Sequence, residues 1–235
     1  IMDECIEAGI KEIIFIISKD KKSIKEYFSK DKLYKKAIKK KNDQQIINAY
    51  KKIKRYKKMI KFVYQNKPLG TGDAVLRCKK YLKGNYFLML LPDDLIIKKN
   101  CSKEMINLFK KKKSSIIATK KVNKKTVSRW GILSVKNKKK NYFQISDVVE
   151  KPSLKQAKSN FAIIGRYILP IKIMKELKKL KPGQGGEIHI TDAIRNLIFS
   201  GEKFFASIFK GKYLDCGTLK GYIKSGIEIS RIKNL

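Results

Sequence analysis

The sequence predicts an α/β fold: a mixed, mostly parallel sheet flanked by helices. Two observations predict it. Short apolar runs suited to buried strands (EIIFII at 12–17, YFLMLL at 86–91) alternate with segments of helical period. The segments richest in Gly, Pro and carboxylates fall where those strands end, which is where such sheets bind ligands. A length of 235 residues suits a single domain, 1–235, with a sizeable core.

In chain order, residues 2–8 read as the end of a helix stopped by Gly9, and 12–17 as a buried strand. A helix runs from Ser18 to about Phe28. A Lys-rich excursion of helical period follows at about 29–58 and reads as an exposed insertion. Residues 60–64 form the next strand, 68–72 a loop, 74–81 a helix, and 86–91 a strand ending at Pro92-Asp93-Asp94. Residues 102–111 read as helix and 115–119 as extended. Residues 130–135 and 143–150 alternate and pair as a hairpin. A strand at 161–169, helices at 171–180 and 191–199 (Thr191 as N-cap), an extended stretch at 203–208 and a closing helix at 218–232 complete the chain.

Composition excludes several classes. No stretch approaches ~18 consecutive apolar residues, so no membrane span is expected. Cys5, Cys78, Cys101 and Cys216 form no C-x-x-C, and His189 is the one histidine. That gives neither a zinc spacing nor a disulfide framework, and points to a reduced, cytoplasmic protein without a Ser-His-Asp mechanism. The formal charge of +37 is almost all Lys, with Arg at only six positions. Specific nucleic-acid readers favour the bidentate Arg fork, so no specific nucleic-acid partner is expected. The surplus of Lys, Ile and Asn is that of an AT-rich genome. Weak, salt-sensitive binding to polyanions follows from the charge alone.

Five constellations carry the chemistry. Gln65 to Ala74 (QNKPLGTGDA) lies between a strand and a helix. Gln65 offers a donor and an acceptor suited to a base edge, and Gly70 and Gly72 admit a flat ligand. Leu90 to Asp94 (LLPDD) places Asp93 after a buried strand, suited to a hard cation. Val148 to Pro152 (VVEKP) offers Glu150 to sugar hydroxyls and Lys151 to phosphate. Tyr213 to Gly217 (YLDCG) supplies Asp215 as a second carboxylate. Gly185 to Asp192 (GGEIHITD) reads as the start of a helix, with His189 and Thr191 in capping roles. Each motif alone also suits an ordinary turn or cap.

Their order and spacing resemble the bacterial UTP–glucose-1-phosphate uridylyltransferases from Met2 to about Ile229. SNFAIIGRY and GEIHITDAI are the most distinctive stretches. The resemblance implies a Rossmann-like nucleotidyltransferase fold, with Gln65 and Gly70 at the uracil. It implies Asp93 and Asp215 on one Mg²⁺, Gly131 and Glu150 on glucose, Lys151 on the sugar phosphate, and Gly165 lining the sugar pocket. The implied reaction joins UTP and glucose 1-phosphate into UDP-glucose and pyrophosphate, in a protein that could also be a homo-oligomer. A relative using dTTP or CTP, and an inactive polyanion-binding remnant, are the competing readings. The family's first strand, its G-x-G-T-R loop and its P-K-E motif have no counterpart in these 235 residues. The expectation is that neighbouring strands are left with unpaired edges, and that this stretch by itself is unstable or nearly inactive.

Overall fold

A computed structural model describes residues 1–233. Among the described residues three sheets are formed. β1 (Ile13–Ile17) pairs in parallel with β2 (Ile60–Tyr64). β4 (Asp94–Ile97) pairs antiparallel with β10 (Lys212–Asp215), with Asp215 opposite Asp94. The main six-stranded sheet has the order β3-β8-β5-β9-β7-β6. Its members are β3 (Tyr86–Leu90), β5 (Ser115–Lys121), β6 (Gly131–Lys136), β7 (Tyr142–Glu150), β8 (Phe161–Pro170) and β9 (Phe204–Ile208).

β8 pairs with three strands, β3, β5 and β6, and every one of its residues is buried. Such a strand reads as a continuous apolar run because both of its faces are covered. One face meets α5 (Thr71–Arg77), α7 (Ile173–Lys179) and α8 (Ile190–Phe199), through Val75, Leu177, Ala193, Ile194 and Leu197. The other meets α6 (Cys101–Lys112), through Cys101 and Met105. Along β5 the period of two sorts Ile117 to the first core and Ile116 and Ala118 to the second.

The α/β class holds, but strand direction differs from expectation. Within the main sheet only β5–β9 is parallel; the other neighbours, including both flanks of β8 and the β6–β7 hairpin, are antiparallel. Apolar periodicity marks a strand without fixing its direction, and β8 runs back between β3 and β5. β1 and β3 each have a strand partner on one edge only among the described residues.

The helices differ at their ends. α1 (Met2–Glu7) and α2 (Lys22–Ser29) precede a helical pair, α3 (Asp31–Lys41) and α4 (Gln44–Lys57), in the Lys-rich stretch. Asp43 caps α4 by accepting from the amides of Gln45 and Ile46. Phe28 and Ile53 are buried, and Phe28 packs edge-on against Phe15 of β1. The chain closes with α9 (Leu219–Lys233). No helix among the described residues is long and apolar enough to cross a membrane. The four cysteines are free thiols.

Candidate active site

Two short strands build the site's acidic end. β3 stops at Leu90, Pro92 turns the chain, and Asp94 opens β4. Because β10 pairs with β4 in a register that sets Asp215 opposite Asp94, residues more than a hundred positions apart meet. The Cys216 amide donates to the Asp93 carbonyl at 2.8 Å and locks the two segments together. Gly217 lies between the carboxylates. A Cβ there would stand 2.8 Å from Asp93 Oδ2 and 3.4 Å from Asp215 Oδ1.

Asp94 does a different job. Its Oδ2 accepts from the Gly165 amide at 2.8 Å, and its Oδ1 accepts from the Tyr213 hydroxyl. Burial pushes its carboxyl upward, against the pull of those two hydrogen bonds. The Tyr213 phenol is likewise pushed up, by burial first and then by its bond to Asp94. Asp94 therefore fastens the turn to β8 and β10 and leaves Asp93 to face the cavity. A glycine is required at 165 because a Cβ there would fall 2.5 Å from Asp94 Oδ2 and 2.6 Å from Leu91 Cβ.

The hairpin β6–β7 builds the opposite wall, with Gly131 paired to Glu150. A Cβ on Gly131 would stand 3.1 Å from Glu150 Oε2, so the glycine leaves room for that carboxylate. Thr191 of α8 donates to Glu150 Oε2 at 2.9 Å. This corrects the capping role expected of Thr191: His189 occupies the N-cap position, and Thr191 is buried inside the helix, holding Glu150. Lys151 follows with φ +43, a conformation bulky residues rarely adopt, and its amide donates to the Trp130 carbonyl at 3.0 Å.

These parts line one cavity of about 460 Å³, within the range of small-molecule sites. Asp93, Asp215, Gly131, Glu150, Lys151 and Gly165, all singled out from the sequence, share it. Arg129, Thr191 and Tyr213 also line it and were not expected at the site from the sequence. Arg129 lies 3.6 Å from Asp215, largely exposed, so that ion pair is weak.

Gln65 and Gly70 form a neighbouring cluster that does not line this cavity. Gln65 Nε2 donates to the Gly70 carbonyl at 3.1 Å and to Asp73 at 2.8 Å, and Arg77 holds Asp73 from the other side. Gly70 has φ +94 and packs on Ile188, where a Cβ would stand 2.7 Å from the backbone oxygen. The amides of Gly72 and Ile188 knit this loop to the GGEIHITD segment.

Among the described residues no cluster of three or more His, Cys, Asp or Glu could hold a metal ion by itself. Asp93 and Asp215 are two oxygen donors lining one polar cavity. That donor set fits Mg²⁺, which takes one or two carboxylates and completes its shell with phosphate oxygens and water. It does not fit zinc, which is held by four nitrogen, sulfur or carboxylate ligands in structural sites.

A mixed sheet sandwiched between helices, with paired carboxylates facing a glutamate, a lysine and close-approach glycines, defines a nucleotidyltransferase. The family model described as nucleotidyl transferase matches residues 1–231. The UTP–glucose-1-phosphate uridylyltransferase of Mycoplasma pneumoniae is 34% identical over 97% of this chain and 79% of its own length. The crystal structure of an apo UDP-glucose pyrophosphorylase superposes with a TM-score of 0.89 at 32% identity, covering 100% of this chain and 86% of that one. A UDP-glucose pyrophosphorylase complexed with UDP-glucose is also similar, with a TM-score of 0.84 at 32% identity over 98% of this chain and 84% of that one. The chain belongs to the UTP–glucose-1-phosphate uridylyltransferase family.

Proposed function

We propose that this site transfers a uridylyl group from UTP to α-D-glucose 1-phosphate, giving UDP-glucose and pyrophosphate. One observation carries the reading: Asp93 and Asp215 flank Gly217 at one end of the cavity whose other wall presents Glu150 and Lys151. A phosphate oxygen of the sugar phosphate attacks the α-phosphorus of UTP. The bond from that phosphorus to the bridging oxygen breaks, and pyrophosphate leaves in line. The nucleophile is already anionic near neutral pH, so no protein nucleophile or strong base is needed. Catalysis then rests on positioning and charge neutralisation.

In this reading Glu150, oriented by Thr191, accepts hydrogen bonds from sugar hydroxyls beside Gly131 and Gly165. Lys151 neutralises the sugar phosphate. Gln65 and Gly70 face the uracil. Asp93 and Asp215 hold Mg²⁺, which when bound supplies positive charge to the phosphate oxygens.

Binding tests the reading directly on these 235 residues. At a hundredfold excess over Kd, UDP-glucose stabilises by about 2.7 kcal/mol. For a chain of this size that raises Tm by roughly 5–10 °C. A shift of that order with UDP-glucose plus Mg²⁺, and a smaller one with the CDP and dTDP analogues, is expected. Equal shifts with all three nucleotide sugars, or none with any, would refute uridine selectivity.

A further inference from the structure

Arg166 is a charged residue in a fully buried strand, and the reaction above does not use it. Its side chain is 0% exposed. Its Nε and Nη2 grip Glu4 of α1, at 3.1 Å to Oε1 and 3.0 Å to Oε2. Glu4 in turn accepts from the hydroxyl and amide of Ser102, at 2.6 and 3.2 Å, at the start of α6. Of the three remaining donors one goes to the Gly165 carbonyl at 2.9 Å, and two point at the turn that carries Asp93. Nη1 donates to the Leu91 carbonyl at 3.0 Å, and Nη2 to the Asp94 carbonyl at 2.7 Å.

The turn is therefore held at four backbone groups. The Leu91 amide donates to the Gly165 carbonyl, the Asp93 carbonyl accepts from Cys216, and Arg166 takes the carbonyls on either side of the Pro92-Asp93 step. Removing a buried ion pair to apolar residues of similar volume is often neutral for stability. An ion pair kept in this position has a use in fixing geometry: a planar fork spans two carbonyls, which a lysine ammonium cannot do from one point.

We infer that the buried Glu4–Arg166 pair is a positioning device for Asp93, clamping the Leu91–Asp94 turn so that the Asp93 carboxylate meets Asp215. Arg166 does not line the cavity and acts through the turn. Partners that orient metal-binding residues typically matter by ~10–100-fold in metal affinity or activity. The link to substrate rests on the uridylyl-transfer reading; the link to the turn does not.

The test compares the parent with the E4M/R166M double variant and with R166K. Hydrogen exchange is followed by mass spectrometry over peptides covering 88–97, alongside Tm and the gain in UDP-glucose affinity on adding Mg²⁺. The expected result is exchange at 91–95 accelerated at least tenfold in the double variant, Tm within a few degrees of the parent, and the Mg²⁺-dependent gain reduced about tenfold or more. R166K, which keeps the ion pair but spans one carbonyl, falls between; if the double variant does not fold, it carries the comparison. Unchanged exchange at 91–95, or a full Mg²⁺ gain in the variants, overturns the inference. If the parent shows no Mg²⁺ gain, the uridylyl-transfer reading fails, and exchange still decides the clamp.

Discussion

Replacing Gly165 by alanine puts a methyl group where the structure has no room for one. The new Cβ would stand 2.5 Å from Asp94 Oδ2, 2.6 Å from Leu91 Cβ and 2.8 Å from Leu91 Cγ. Neither neighbour can swing aside cheaply. Asp94 is held at both oxygens, by the Gly165 amide and the Tyr213 hydroxyl, and the Leu91 amide is bonded to the Gly165 carbonyl itself. Overpacking a tight interior costs about 1–3 kcal/mol. Losing the hydrogen bond to a buried carboxylate adds about 1.5–3 kcal/mol. G165A should therefore lose roughly 3–5 kcal/mol, a large part of a typical domain's stability. Urea unfolding followed by circular dichroism reads this as a lower midpoint at unchanged slope. G226A is the control: a Cβ at 226 meets nothing within 4 Å in the middle of α9, so it should stabilise by about 0.5–1 kcal/mol. A G165A midpoint within ~0.5 kcal/mol of the parent would refute the close-approach reasoning, which rests on overpacking.

The active-site carboxylates behave in the opposite way. D93N and D215N should each cut the Mg²⁺-dependent gain in UDP-glucose affinity by about tenfold or more, with Tm moved by under about 2 °C, because neither carboxylate is buried. D94N should instead lower Tm, since Asp94 is buried and held at both oxygens. T191V removes the bond to Glu150 and should weaken binding of glucose 1-phosphate roughly tenfold, leaving the Kd for UTP unchanged; equal effects on both would contradict a sugar-side role. Burial pushes the Glu4 carboxyl up, but Arg166 and Ser102 outweigh it and hold it below its ordinary value of 4.5. A depressed carboxyl contributes stability that is present above the unfolded value and lost as pH falls through the folded one. Urea midpoints of the parent should thus fall more steeply below about pH 4.5 than those of E4Q, and parallel curves would contradict the assignment.

Several of these features were legible in the sequence, and the reasons others were not are physical. β1 and β3 announce themselves as apolar runs, and the site motifs fall at strand ends, as the binding geometry of such sheets requires. β4 and β10 do not: DLII and KYLD are four residues each, too short for periodicity to speak, yet their pairing joins Asp93 to Asp215. Strand direction was invisible because alternation reads the same both ways. Thr191 followed by Asp192 at the head of a helix looks like a cap, and only the register of β7 shows that it serves Glu150. Arg166 had a usable signal: a lone charge inside FAIIGRYILP must find a partner when buried, although the sequence could not say that the partner was Glu4.

The account turns on one ion shared by Asp93 and Asp215. Anomalous diffraction from crystals of this chain grown with Mn²⁺ and UDP-glucose places that ion directly. The account predicts a single peak at the end of the cavity beside Gly217, with an oxygen from each carboxylate at about 2.0–2.2 Å, near the octahedral distance of Mg²⁺. A peak on one carboxylate alone, or none between them while UDP-glucose is bound, would contradict it.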